Sequence, residues 1–172
     1  MPEAPDLAEL FGSSTRSALH LEMRDGYTLD DPMLDEWRAG RRYDQTDPAS
    51  WWRPWLELMQ SAIGRGVRVR RARIVSEPVS EYIQYEYDVT FMNVFVGEDV
   101  RWLPRRCATS IALPGNDFWL FDDSVLVINH FSGNGDKVSA ELIGDATTIK
   151  LCSTAFEAVW ERATPHDRYQ PV

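Results

Sequence analysis

Between Arg65 and Arg73 five of nine residues are arginine, interleaved with Val67, Val69 and Ala72. The β-branched residues around them make 67–75 a strand. Successive side chains of a strand point to opposite faces. Arg71 and Arg73 therefore share a face with Val67, Val69 and Val75, and Arg68 and Arg70 share the other with Ala72 and Ile74. A charge on an otherwise apolar face must meet a counter-charge or a bound anion, because an unpaired buried charge is very costly. Three outcomes satisfy that demand: internal pairing with Glu86, Glu98 or Asp117, a phosphate or carboxylate ligand, or nucleic acid. The formal net charge of −9 argues against unaided binding to nucleic acid or to an anionic membrane. A short connection through Pro78 returns the next helix over this strand. Arg71 and Arg73 are accordingly expected to point inward, with Glu86 and Glu98 as first partners.

A length of 172 residues with 44% hydrophobic content predicts one domain over 1–172 with one core. Residues 1–5, with Pro2 and Pro5, are expected to fray. No basic-then-apolar leader opens the chain, and no apolar run approaches the roughly 20 residues of a membrane span. The expectation is a cytoplasmic protein with Cys107 and Cys152 as thiols, not joined to each other. Their spacing fits no zinc pattern.

Residues 6–11 suggest a short helix. Residues 19–23 alternate as a half-buried strand does, although a helical turn fits equally at this length. Asp31-Pro32 and Asp47-Pro48 are helix starts, a capping residue followed by proline at the first helical position. The first helix carries Met33, Leu34 and Trp37 and ends at Gly40. The second carries Trp51, Trp52, Trp55, Leu56 and Met59, with Pro54 marking a start or a bend. A helix over 80–96 places Ile83, Tyr87, Phe91 and Val94 on one face and ends at Gly97. Short apolar runs at 100–103, 118–121, 125–131 and 138–143 are strands, the last two joined by a hairpin at Gly133-Asn134-Gly135. The final helix, 145–163, buries Ile149, Cys152, Phe156, Val159 and Trp160. The fold expected is α/β (or α+β), one mixed or mostly antiparallel sheet packed by about three main helices.

Several segments carry a family resemblance: His20-Leu21-Glu22-Met23-Arg24-Asp25, Trp37-Arg38-Ala39-Gly40, Arg65 to Arg71, Ser76-Glu77-Pro78, Gly97 to Arg105, Asp117 to Asp122, and Val159 to Ala163. Together they resemble an actinomycete family, domain of unknown function 6879. The resemblance implies a bacterial, cytoplasmic protein, regulatory in role, whose genes often lie beside helix-turn-helix regulators. The second half is also similar in pattern to single phospholipase D-like lobes used as sensor domains in bacterial regulators. Phospholipase D enzymes need His-x-Lys with an aspartate four residues beyond the lysine, the histidine being the nucleophile. His20-Leu21-Glu22, His130-Phe131-Ser132 and His166-Asp167-Arg168 all lack the lysine. No phosphodiester hydrolysis is expected, and no catalytic residue is assigned.

Candidate ligand-binding residues are Arg71 and Arg73; His20 and Glu22, which project together from a strand; and Glu98, Arg101 and Arg105, on a loop able to close over a pocket. Each has a plainer reading: an internal ion pair, a histidine tied to a neighbouring carboxylate, a surface salt bridge. Asp117, Asp122 and Asp123 suit a cation or, more simply, turns. No metal and no cofactor is expected, since three histidines without a second acidic cluster fall short of a ligand set. There is no G-x-S-x-G elbow, phosphate-binding glycine loop or H-E-x-x-H. The function expected is a non-enzymatic bacterial regulatory or interaction protein. Its partner is a helix-turn-helix regulator or a small anionic ligand, with no direct nucleic acid and no membrane. The alternative is an enzyme of phosphodiesterase-like architecture with a degenerate site. The oligomeric state stays open, a homodimer included.

Overall fold

The computed structural model describes residues 5–28 and 30–172. Among these, a seven-stranded sheet runs in the order β6-β5-β4-β1-β2-β3-β7. Its strands are β1 (Ser17–Glu22), β2 (Arg68–Val75), β3 (Asp99–Pro104), β4 (Phe118–Phe121), β5 (Val125–Phe131), β6 (Lys137–Ile143) and β7 (Thr164–Pro165). β1, β2 and β3 are parallel neighbours, with His20 beside Arg71 and Arg73 beside Trp102. The remaining pairings are antiparallel, so the sheet is mixed. The parallel strands are joined by helices: α2 (Pro32–Arg38) and α3 (Pro54–Gly64) after β1, then α4 (Glu81–Val89) and α5 (Phe91–Phe95) after β2. These crossovers, with α1 (Leu7–Ser13), cover one face. The other face is covered by α6 (Ala146–Arg162).

The two faces have different chemistry. Under α6, Leu19, Leu21, Ala72, Ile74, Phe118 and Leu120 meet Cys152, Phe156 and Val159 in an apolar layer. On the opposite face Ala18, Val69, Trp119, Phe121 and Val127 pack against Phe11, Leu56, Met59 and Met92. That face alone turns polar toward the carboxyl ends of β1 and β2, where His20, Glu22, Arg71 and Arg73 stand.

Several expected boundaries move. Residues 19–23 belong to a strand, β1, and not to a helical turn. The fraying expected at residues 1–5 falls mainly on residues 1–4, outside the described residues. The second proline-started helix splits: Pro48–Ser50 forms a short 3₁₀ turn and α3 begins at Pro54. Pro54 lacks the N–H that a continuous helix would need there. The helix over 80–96 breaks at Thr90, which ends α4 and begins α5. Thr90 Oγ1 donates back to the Glu86 carbonyl at 2.6 Å, a contact that bends helices. After the break the buried residues are Ile83, Tyr85, Val89 and Met92, and Val94 lies 45% exposed. No helix among the described residues is long and apolar enough to cross a membrane. Cys107 is exposed, Cys152 is buried, and both are free. Burial pushes the Cys152 thiol up to about 11.

Candidate functional site

Strand alternation delivers Arg71 and Arg73 to the face covered by α1 to α5, where they are 7% and 4% exposed. Arg71 Nε donates to Glu98 Oε1 at 2.6 Å and its Nη1 to Glu22 Oε1 at 2.8 Å. Arg73 Nε donates to Glu22 Oε2 at 2.6 Å, Nη1 to Thr90 Oγ1 at 2.6 Å, and Nη2 to Glu86. The internal partners expected from sequence, Glu86 and Glu98, are thus both present, and Glu22 joins the two guanidiniums from the neighbouring strand. Burial alone would disfavour a charged Glu22. The Arg73 and Arg71 guanidiniums, with His20, outweigh burial and hold the carboxyl well below the usual range.

His20 stacks on Trp119, with ring centroids 4.1 Å apart and planes 4° from parallel. Its Nδ1 lies 2.8 Å from the Phe118 carbonyl oxygen and its Nε2 3.1 Å from Glu22 Oε1. Both ring nitrogens face acceptors, so the ring satisfies both only when both carry protons. Asn93 Nδ2 donates to the second oxygen of Glu98 at 2.7 Å, completing a closed ion network.

Above this network lies a cavity of about 510 Å³. Its floor is the sheet: His20 and Glu22, Arg71 and Arg73, Trp119, then Asn129 and Phe131 of β5 and Lys137 of β6. Its roof is Arg53 and Trp55 at the start of α3, with Tyr82, Tyr85 and Glu86 of α4. The loop after β1 closes the side with Tyr27, Thr28 and Asp31. Each carboxylate here already accepts. Asp117 accepts from Tyr27 Oη and from the Met23 amide at 2.9 Å, and Glu86 accepts from Tyr82 Oη at 2.7 Å. Asp31 accepts from Tyr85 Oη at 2.8 Å and caps α2 through the Met33 amide. Burial, then the neighbouring carboxylates, push the Tyr27 and Tyr82 hydroxyls far up, so both remain donors. Burial likewise raises Asp117.

Two cations on the wall differ from the rest. Arg53 donates only to the thioether of Met33, at 3.0 Å, and its Nε is buried without an acceptor. Lys137, exposed on the edge strand β6, lines the cavity and has no ion-pair partner among the described residues. Asn129 is 6% exposed, and its Oδ1 is sealed from water without a donor.

Of the seven candidate ligand-binding residues, His20, Glu22, Arg71 and Arg73 line the cavity. Glu98 stands behind Arg71, fully enclosed. Arg101 is placed elsewhere. It has opposite parity to Trp102 on β3, so it lies under α6, 4.3 Å over the Trp160 ring, and donates to the Trp160 carbonyl. Arg105 ties strand ends together through Ser76 Oγ and the Ile74 carbonyl, and no loop folds over the cavity from there. Asp122 is a turn former, accepting from the amides of Thr15, Arg16 and Ser17. Sequence reasoning missed Tyr27, Arg53, Asn129 and Lys137. Asn129 leaves a trace, as the only amide side chain in the apolar run of β5.

The model of the family described as "Domain of unknown function (DUF6879)" matches residues 5–171. No curated protein matches the sequence. Among solved structures, NucT from Helicobacter pylori is 13% identical with a TM-score of 0.52, over 92% of this chain and 87% of that one. Nuc from Salmonella typhimurium, a phospholipase D family member, is 10% identical with a TM-score of 0.50, over 92% and 86%. TrmBL2, an archaeal chromatin protein, is 12% identical with a TM-score of 0.50, over 91% of this chain. This chain spans about half of that protein, 48%. At these identities the likeness is one of fold, that of a phospholipase D-like lobe.

Proposed function

This chain belongs to the DUF6879 family and has a phospholipase D-like fold, and on that premise we propose that it is a non-catalytic sensor that takes a small anion into its cavity and reports occupancy to a protein partner. The observation that carries this reading is the imbalance of the cavity wall. Every wall carboxylate is engaged by a donor, while Arg53 and Lys137 have no carboxylate partner among the described residues. A half-buried cation without a partner, as Arg53 is, favours an anionic ligand, and Lys137 adds an exposed ammonium to the same wall. Arg71 and Arg73 serve this reading as a rigid floor. Partner engagement is supported by a second feature. Trp52, Val94 and Phe95 are exposed by 37%, 45% and 53%, and Trp52 and Phe95 both lie beside the buried Trp51. A helix-turn-helix regulator is the partner that fits the family resemblance. A lobe of this shape also occurs within a longer DNA-binding protein, the archaeal chromatin protein. The charge of −9 supports leaving any DNA contact to the partner.

The test is a thermal-shift series with inorganic phosphate, benzoate and nucleoside monophosphates against a chloride control. A ligand that binds only the folded state raises the melting temperature with concentration. At least one anion is expected to do so, with the effect lost in the Arg53→Ala/Lys137→Ala double variant. No rise with any of them overturns the proposal.

One observation favours an enzyme: a histidine and a perturbed carboxylate lie together in the cavity. The geometry weighs against it. A histidine nucleophile or base needs a free ring nitrogen directed at substrate, and both nitrogens of His20 are engaged. Turnover of a chromogenic phosphodiester, abolished by His20→Ala, would reinstate the enzyme reading.

A further inference from the structure

Asn129 and Phe131 are two residues apart on β5, so their side chains stand side by side on the cavity face. Lys137 is the cross-strand partner of Phe131 in the β5–β6 register and lines the same cavity. The register shifts between His130 and Phe131, so the pair stands at a bulge-like irregularity of the two strands. An amide, an aromatic ring and an ammonium without an ion-pair partner among the described residues therefore line one corner of the cavity. Tyr27 extends the ring wall, its centroid 5.0 Å from that of Phe131 and at a steep angle to it. Arg24, outside the lining, lies 5.3 Å over Phe131 and adds positive potential at this corner.

The amide is the informative member. Asn129 is 6% exposed, no side-chain hydrogen bond engages it, and its Oδ1 is an orphan acceptor. A buried polar atom left unpaired costs about 1–3 kcal/mol, so a donor from a water, or from a ligand that displaces it, is favoured there. A half-turn of the terminal amide exchanges its oxygen and nitrogen, so the side chain can offer the cavity a donor, an acceptor, or both edge-on. That edge is complementary to a heteroaromatic ring bearing a donor beside an acceptor, the pairing by which Asn reads adenine. Aromatic walls suit the faces of such a ring.

We propose that the anion this cavity takes is built on a planar heteroaromatic ring, its donor–acceptor edge on Asn129, its face against Phe131 and Tyr27, and its phosphate or carboxylate on Lys137. The inference rests on the anion-sensor reading and adds the ring. A cavity of about 510 Å³ is within the range of small-molecule sites. The phosphate and carboxylate forms share this chemistry, and the experiment separates them.

Titration calorimetry on the full chain would use AMP and UMP as ring phosphates, orotate as a ring carboxylate, uridine as the ring without the anion, and benzoate as the anion without the edge. At least one ring anion is expected to bind tenfold or more tighter than both uridine and benzoate. Lys137→Ala should bring that ligand to the level of its uncharged counterpart. Asn129→Leu, close in shape, should weaken it at least tenfold and leave benzoate unchanged, with an unaltered melting temperature showing that the fold is kept. If benzoate matches the ring anions, or Asn129→Leu leaves them untouched, the ring assignment falls while the anion sensor stands. If no ring anion binds but phosphate or benzoate does, the same conclusion follows. If no anion of any kind binds, both fall.

Discussion

At the scale of single residues the molecule is organised by five charges and a stacked histidine. Glu22 is shared between Arg71 and Arg73, Glu98 closes one end, Glu86 the other, and His20 lies against Trp119. A buried pair broken from one side strands its partner, at about 3–5 kcal/mol. Glu98→Ala, which leaves Arg71 leaning on Glu22 alone, is expected to lose that much in urea melts. Arg38→Ala, whose pair with Glu81 is half exposed, should lose about 1 kcal/mol or less. Equal small losses in both would contradict the buried network. The same network sets the response to acid. The Glu22 carboxyl is depressed in the fold relative to an unfolded value of about 4.3. A depressed carboxyl contributes stability that is complete above its unfolded pKa and is lost as pH falls through the folded one. Melts between pH 6 and pH 2 should therefore show steep loss below about pH 4, and Glu22→Gln should be less stable at neutral pH with a flatter acid limb. Much of this was legible in the chain. The alternation of Val67, Val69, Arg71 and Arg73 fixed which arginines turn inward, and the next helix and its exit supplied Glu86 and Glu98. The parity of Arg101 against Trp102 was equally readable and places Arg101 away from the cavity. Glu22 was visible only as a neighbour of His20, because its role depends on β1 lying beside β2, a pairing that no local pattern encodes.

At the scale of elements, turns and helix ends decide where the network stands. Glu98 reaches Arg71 because Gly97 ends α5 with φ +99 and turns the chain into β3. A Cβ there would also lie 3.2 Å from Ile63 Cγ2. Left-handed backbone carrying a side chain costs on the order of 1–3 kcal/mol. Gly97→Ala is expected to destabilise by at least about 1 kcal/mol in a denaturant melt, whereas Gly12→Ala, inside α1 with open space around it, should not destabilise. Element types were largely readable from start and stop signals, Asp31-Pro32 and the 133–135 hairpin among them. The break at Thr90 was not. Helical spacing continues through it, and what interrupts it is a tertiary event, Arg73 donating to the threonine hydroxyl across from β2. The cavity was the least legible feature, since Arg53, Asn129 and Lys137 come from a helix start, a central strand and the strand at the sheet's edge. Only the folded chain brings them together.

At the scale of the whole molecule the sheet divides the protein into unequal halves. One side has five helices, the ion network and the cavity; among the described residues the other side is closed by α6. The buried ion network is confined to the first half, and the second is apolar packing of Phe156, Val159 and Cys152 on β1, β2, β4 and β5. One 17-residue helix, with Ala108, Ile111 and Leu113 beside it, thus shields that face of the central strands. When α6 lifts, the whole layer meets water at once, so amides of β1 and β4 can exchange their hydrogens no later than that opening allows them to. The side with the ion network is pinned by many short elements, while most of the other hangs on a single fastening.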